Sequence, residues 1–272
     1  GKPGGGRWSS LCQLLVGAVQ RAAEDRGWST LNLAATGRSV ASITDELVSA
    51  RVAGLLLDSA ERPLVTALRK LGTPTVLVEE QARGLDSVSQ DNFGGALRAA
   101  EYLIGRGHRR LAWFGAMAPT VHSRERWAGA HAGVRDSGAT MTCLGSAGAE
   151  VGECEDRLHA LLSGPERPTA VLALWWTAAV TVARVAADLK LEPGDDIEIV
   201  SWCPEEQLPE FRAAWPLSGS GLPPTVTWSM RQLGEAALAR LAERRERPDA
   251  PPVRVSVDVE LTSAEELRKR GV

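Results

Sequence analysis

The most informative part of the chain is residues 91–129, with the sequence DNFGGALRAAEYLIGRGHRRLAWFGAMAPTVHSRERWAG. Either Asp91 or Asn92 can cap a helix start, and small and apolar side chains recur at helical spacing over 96–103 before glycines end the pattern. The apolar run at 111–114 is typical of a buried parallel strand. This segment therefore predicts one helix-to-strand half of an α/β unit.

The same alternation extends along the rest of the chain. Helices are predicted over 11–26, 40–50, 63–71, 123–137, 151–162, 177–189 and 230–243. Strands are predicted over 29–35, 52–57, 74–78, 169–174 and 197–202, and the alternating pattern of 253–261 indicates a half-exposed edge strand. Helices and strands in alternation indicate βαβ units and parallel sheets.

Three short motifs carry a family resemblance: Asp91-Asn92, Gly107-His108 and Arg126-Trp127-Ala128-Gly129. Their identities and spacing resemble the effector-binding domain of LacI-type bacterial transcription regulators, which have the type I periplasmic-binding-protein fold. The resemblance extends more weakly over nearly all of the chain. It implies an α/β protein of two doubly wound parallel-sheet lobes, joined by three crossovers, with a ligand cleft between them.

The resemblance also implies where the lobes begin and end. By analogy, the chain crosses between them near Ala116, near Pro223 and near 248–252. The N-terminal lobe would then comprise 1–117 plus 224–248, and the C-terminal lobe 118–223 plus 249–272. Family domains begin with a strand at the centre of the first sheet, whereas this sequence has only ten residues before its first predicted helix.

Charge and hydropathy limit the partners that we expect. A net charge of −3 over 272 residues gives no overall attraction to nucleic acid or to an anionic membrane. Family members bind DNA through an N-terminal helix-turn-helix that this sequence lacks, so we expect DNA contact only through such a segment. No apolar run is long enough to span a bilayer, and the N-terminus lacks the apolar core of a signal peptide. These features predict a cytoplasmic protein without a membrane partner.

Motifs for catalysis, cofactors and metals are missing from the sequence. The four cysteines form no CxxC pair and no metal-like spacing with the four histidines. There is no GxxxxGK[ST], HExxH or GxSxG motif, and no GxGxxG after a predicted strand. We therefore expect no cofactor, no metal and no catalytic residue.

A ligand site is expected where parallel strands end, because ligands of doubly wound folds bind at the carboxyl ends of the strands. The resemblance assigns six residues to that site: Asp91, Arg126, Trp175, Trp176, Cys203 and Trp228. A carboxylate accepts hydroxyl protons and a guanidinium offers a planar fork of donors, so Asp91 and Arg126 suit a polar edge of a ligand. The alternatives are that Asp91 is a helix cap and that Arg126 is a surface arginine.

Tryptophan stands where the family commonly has polar residues. After the strand at 170–174, Trp175-Trp176 replaces Asn-Asp, Cys203 replaces Asp after the next strand, and Trp228 replaces another polar residue. The chain has nine Trp but three Phe and one Tyr, a ratio that a general need for core aromatics does not produce. We expect a flat aromatic or largely apolar effector stacked between indoles, with a cationic ligand as a special case. The alternative is that the tryptophans fill a former cleft.

The leading hypothesis for function is the ligand-sensing and dimerisation core of a LacI-type transcriptional regulator, acting as a homodimer and not as an enzyme. A solute-binding protein of the same fold is an alternative, although it would need a signal peptide or a lipid anchor. An enzyme that recruited the cleft is another, with Cys203 or Asp91 as its reactive group.

Overall fold

The computed structural model describes residues 10–58, 61–115, 120–145, 151–217 and 221–272. The helices are α1 (Ser10–Glu24), α2 (Val40–Ser49), α3 (Arg62–Leu71), α4 (Asn92–Gly105), α5 (Val121–Val134), α6 (Val151–Ser163), α7 (Trp176–Asp188), α8 (Leu208–Ala214), α9 (Met230–Glu246) and α10 (Ala264–Lys269). The strands are β1 (Leu55–Leu57), β2 (Thr75–Val78), β3 (Asp86–Gln90), β4 (Arg110–Phe114), β5 (Thr140–Cys143), β6 (Ala170–Ala173), β7 (Glu198–Pro204), β8 (Thr225–Trp228), β9 (Arg254–Val257) and β10 (Glu260–Thr262). The predicted α/β class is confirmed, and the strands form two sheets dominated by parallel pairs.

The chain divides into two units, and it passes from one to the other three times. The first unit comprises Gly1–Gln90 and Ser229–Val257, and the second comprises Asp91–Trp228 and Asp258–Val272. The first crossing thus falls at Asp91 and not near Ala116, which itself lies outside the described residues. The later crossings, at Ser229 and Asp258, come several residues after the predicted ones at Pro223 and 248–252.

The pairing of β4 explains why the predicted boundaries are wrong. β4 lies between β5 and β6 and forms parallel ladders with both. The helix before it, α4, packs against α5 and contacts β6, β8 and β10 of the same sheet. The helix and strand predicted from residues 91–114 therefore belong together to the second unit.

The first unit contains a fully parallel sheet with the order β1-β2-β3-β9. Every residue of β2 and β3 is buried. Helix α9 contacts all four strands and also packs against α1. Helices α2 and α3 join through a small core of Ile43, Leu47, Leu64 and Leu68.

The strand predicted at 29–35 is not formed, and Leu31 is 54% exposed. β1 is the last strand in the order of its sheet, and a cavity of about 610 Å³ has residues from both 28–35 and β1 in its wall. A strand requires a hydrogen-bonded neighbour at about 4.8 Å. In the described part of the chain, 29–35 has no such neighbour, so this segment does not form the predicted strand.

The second unit contains a sheet with the order β10-β8-β7-β6-β4-β5, in which only the β10–β8 pair is antiparallel. One face of this sheet forms the larger core with α6, α7 and α8, through residues such as Phe114, Val171 and Phe211. α4 and α5 pack together, and α4 contacts strands of this sheet. The predicted edge strand at 253–261 is in fact two strands, since β9 pairs with β3 in the first unit and β10 with β8 in the second.

A buried carboxylate joins β3 to α9 in the first unit. Asp86 is 1% exposed, and its oxygens lie 2.6 Å from Arg244 Nε, 3.0 Å from Arg240 Nη2 and 2.7 Å from the Val253 N–H. Burial alone would raise the pKa of Asp86, but the hydrogen bonds from Arg244, Val253 and Arg240 outweigh it and lower the pKa below its ordinary value.

A second buried carboxylate fixes the end of α4 in the second unit. The oxygens of Glu198 lie 2.9 Å from Tyr102 Oη, 2.6 Å from Arg106 Nε and 2.9 Å from His108 Nε2. Burial opposes ionisation of Glu198, yet these hydrogen bonds prevail and hold its pKa below the usual range. Burial and the adjacent Glu198 carboxylate raise the pKa of Tyr102 to about 12.

Replacing Asp86 with Asn should lower the free energy of unfolding by roughly 3 kcal/mol at pH 7, because two mostly buried guanidinium groups would lose their counter-ion. A lowered pKa makes the native carboxylate stabilising above the unfolded pKa of about 4, and that stabilisation is lost as the pH falls through the native value. The difference in free energy of unfolding between the wild type and Asp86→Asn, measured with urea, should therefore become smaller from pH 7 to pH 3.

The matched control for this prediction is Glu235→Gln, which removes a more exposed ion pair with Arg231 on the same helix, α9. Surface pairs contribute less than about 1 kcal/mol, so this variant should unfold nearly as the wild type does. An equal decrease in the free energy of unfolding of the two variants at pH 7 would contradict the role assigned to Asp86.

Candidate functional site

The candidate site lies at the carboxyl edge of the sheet in the second unit. β4, β6, β7 and β8 run parallel and therefore end at the same edge. α4 precedes β4 and α7 follows β6, so both helices begin there as well. Four of the six residues that the sequence proposed for ligand binding lie at this edge: Asp91, Arg126, Trp175 and Trp228.

Asp91 is the N-cap of α4. Its Oδ1 accepts a hydrogen bond of 2.8 Å from the Gly94 N–H, and its Oδ2 lies 3.4 Å from Arg98 Nη1. Asp91 is therefore a helix cap, as the alternative proposed, but only its Oδ1 takes part in the cap. The side chain is 31% exposed, so a ligand can reach the carboxylate without displacing the cap.

Arg126, in the second turn of α5, is completely buried. Its Nε donates to Asn92 Oδ1 at 2.8 Å, and its Nη1 donates to the Leu174 carbonyl oxygen at 2.6 Å. The alternative that Arg126 is a surface arginine is therefore wrong. These two bonds connect α5 to the start of α4 and to the end of β6.

Indole faces surround the Arg126 guanidinium. Its Cζ lies 4.0 Å from the ring centroids of both Trp175 and Trp202 and 5.8 Å from that of Trp228. The negative face of an indole attracts a cation, and the attraction strengthens when water is excluded. Asn92, Arg126, Trp175, Trp202 and Trp228 are hereafter called the guanidinium cage.

Two glycines allow this close packing. A side-chain carbon at Gly95 would lie 2.6 Å from the Trp202 ring and equally close to Val259, and one at Gly129 would collide with the backbone of Phe93. Gly95 is on α4, and Gly129 is on α5, three residues after Arg126. Both positions therefore need glycine for the two helices to approach each other and the cage.

The sequence interpretation did not identify Asn92 as a hydrogen-bond partner of Arg126, and it did not include Trp202 in the site. It considered only residues that follow strands, whereas Trp202 lies within β7. The available signal was alternation, since neighbouring residues in a strand face opposite sides of the sheet. An indole next to Cys203 must therefore face away from the core that contains Cys203.

The two remaining indoles of the cage differ in accessibility. Trp175 is partly exposed, and its ring centroid lies 5.4 Å from that of His122 and 6.1 Å from that of Trp228. Trp228 is 2% exposed. Its indole Nε1 has no hydrogen-bond partner among the described residues.

Trp176 does not join Trp175, contrary to the prediction that they line one site. Its Nε1 donates to Gln207 Oε1 at 3.1 Å, and its ring packs at 5.7 Å from Phe211, against the large core of the second unit. Trp175 has the extended backbone of an N-cap, and Trp176 is the first helical residue. The change in backbone conformation between them directs the two side chains to different neighbours.

Cys203 is also placed elsewhere than predicted. It is completely buried within the large core, and its Sγ lies 3.3 Å from the Pro204 carbonyl oxygen. Burial, with smaller effects from Glu210 and Glu206, raises the pKa of its thiol. A thiol that is buried and protonated is unreactive, which removes it from the enzyme alternative.

The described residues include no group of three or more side chains that could hold a metal ion. None of their helices has the length and apolar character needed to cross a bilayer. The chemistry that this edge offers is therefore hydrogen bonding by Asp91, contact with the exposed part of Trp175, and the electrostatic field of the caged guanidinium.

Comparison with known proteins gives a family match. The model described as "Periplasmic binding proteins and sugar binding domain of LacI family" matches residues 9–197. The ribose operon repressor of Escherichia coli (strain K12) is 30% identical over 248 residues, which cover 86% of this chain and 71% of that protein. The HTH-type transcriptional repressor PurR of Mannheimia succiniciproducens is 26% identical over 68% of this chain and 53% of its own length.

Solved structures agree with these matches. A putative ribose operon repressor from Burkholderia thailandensis is 25% identical, with a TM-score of 0.71 over 92% of this chain and 93% of that one. The Lac repressor bound to ONPG shares the fold, at 17% identity and a TM-score of 0.77 over 94% of this chain and 77% of that one. The chain belongs to the family of periplasmic binding proteins and LacI-type sugar-binding domains.

Proposed function

We propose that this chain is the effector-binding and dimerising part of a LacI-type transcriptional repressor. Family membership supports this proposal, as do the relatives named above, which are repressors. DNA binding would belong to a helix-turn-helix segment outside these 272 residues. The burial of Cys203 in the core speaks against the enzyme alternative.

The effector that we propose is a planar aromatic or largely apolar small molecule, bound at the carboxyl edge of the second unit. The observation that carries this proposal is the partly exposed indole of Trp175, at a position where the family commonly has a polar residue. Sugar hydroxyls need hydrogen-bond partners on desolvation, at about 1–3 kcal/mol for each one left unpaired. The indole ring offers such hydroxyls only one N–H.

The predicted site residues have different roles in this proposal. Asp91 and Trp175 would contact the effector directly, because both keep exposed surface. Arg126 is buried and would form the wall behind them, whereas the buried Trp228 would contact the effector only through its indole N–H. Trp176 and Cys203 pack in the core on the other face of the sheet and are not part of the proposed site.

Ribose is the second candidate effector, favoured by two relatives that are named as ribose operon repressors. For ribose to bind, polar groups other than the indoles, Asp91 among them, would have to form most of the hydrogen bonds to its hydroxyls. The two candidates can be separated by titrating the protein with ribose and with planar aromatic compounds, with indole fluorescence and calorimetry as the two readouts.

Trp175→Leu should weaken binding of aromatic compounds roughly tenfold, because it removes the proposed stacking surface and an aromatic pair contributes about 0.5–1.5 kcal/mol beyond its buried area. The matched control is Trp176→Phe, which alters the adjacent indole in the core and should leave the affinity unchanged. Binding of ribose at micromolar concentration without any binding of aromatic compounds would refute the aromatic effector. So would an affinity that depends on Trp176 and not on Trp175.

We also expect a homodimer, since family cores pair side by side. Sedimentation equilibrium at micromolar concentration should give about twice the 29.0 kDa of one chain. A mass that stays at 29.0 kDa over this range would exclude the dimer. In the same buffer the isolated chain should not shift operator DNA in a gel, given its net charge of −3.

A further inference from the structure

The indole N–H of Trp228 is a buried donor without an acceptor among the described residues. The residue is 2% exposed, and its Nε1 has no hydrogen-bond partner among the described residues. Buried polar groups in native proteins are almost always paired, because an unpaired donor loses its water and gains nothing in return. Such a donor is stable in a fold when something else supplies the acceptor.

The surroundings of Trp228 distinguish it from the other buried groups that lack a partner in the described residues. Those groups are Trp113 Nε1, Ser201 Oγ and Arg240 Nε. Only Trp228 belongs to the guanidinium cage, with its ring 5.8 Å from the Arg126 Cζ and 6.1 Å from the centroid of Trp175. A positive charge and an N–H donor both favour an atom that carries negative charge density.

We propose that Trp228 donates its indole N–H to an acceptor oxygen on the effector, so that the effector is a planar molecule carrying a carbonyl or carboxylate group. This inference rests on the proposed function. The ring centroid of Trp175, the more accessible indole, lies 6.1 Å from that of Trp228. A molecule stacked on Trp175 can therefore present its ring to that indole and its oxygen to Trp228.

A matched pair of probes tests the inference on the full chain. 2-Acetylnaphthalene carries a carbonyl oxygen, and 2-isopropenylnaphthalene has a CH₂ group in its place with nearly the same shape. The acetyl compound should bind the wild type roughly tenfold more tightly, because one hydrogen bond distinguishes the two. Trp228→Phe, which keeps an aromatic ring but lacks the N–H, should bind both compounds equally.

Trp113→Phe is the control variant, since it removes another buried N–H without a partner among the described residues, on a ring that packs against Trp127 and not in the cage. It should keep the tenfold preference. A second measurement reports on the donor itself: in ¹⁵N-labelled wild-type protein, one indole N–H resonance should move downfield with the acetyl compound only. Its absence from the spectrum of Trp228→Phe assigns it.

Equal binding of the two compounds by the wild type would overturn the inference and leave the aromatic effector standing. A preference that survives in Trp228→Phe would also overturn it, because the donor would then be another group. If neither compound binds while ribose does, both this inference and the proposed effector class fail.

Discussion

The structure of the second unit depends on the burial of one positive charge. Removing a guanidinium from water costs several kcal/mol unless its donors are paired and its faces are covered. Arg126 meets this requirement with the Asn92 side chain, the Leu174 carbonyl and the indole faces of Trp175 and Trp202. These partners come from the start of α4, the end of β6 and the middle of β7. One side chain therefore sets the relative positions of three elements at the edge where a ligand is expected.

The cage gives the surplus of tryptophan a physical meaning. The sequence suggested indoles arranged around a ligand, but the protein's own cation occupies the space between two of them. The alternative that tryptophans fill a former cleft therefore holds in part, because Trp202 and Trp228 fill space around Arg126. What remains for an effector is the exposed part of Trp175, the carboxylate of Asp91 and the unused donor of Trp228. These features favour an effector that stacks on one indole and is oriented by hydrogen bonds, in place of an effector stacked between two free indoles.

Local patterns predicted the elements well, whereas features that depend on distant partners could not be predicted. The helix and strand in residues 91–114 follow from capping, spacing and a buried apolar run. The strand at 29–35 did not form, because a strand exists only beside a neighbour. β3 was missed because its sequence, DSVSQ, is polar, and its burial depends on arginines of α9 more than 150 positions away. Asp91 and Arg126 were identified from the motif, but the stacking of Trp202 on Arg126 requires the tertiary packing at Gly95 and Gly129.

Replacement of Arg126 by Met tests the central claim most directly. Met fills a similar volume but leaves Asn92 and the Leu174 carbonyl without the charged donor, so the free energy of unfolding should fall by about 3 kcal/mol or more. The near-UV circular dichroism of the caged tryptophans should weaken at the same time. Arg157→Met, at an exposed position on α6, should change neither quantity appreciably. If Arg126→Met unfolds at the same urea concentration as Arg157→Met and keeps the wild-type near-UV spectrum, the caged guanidinium does not organise this edge of the sheet.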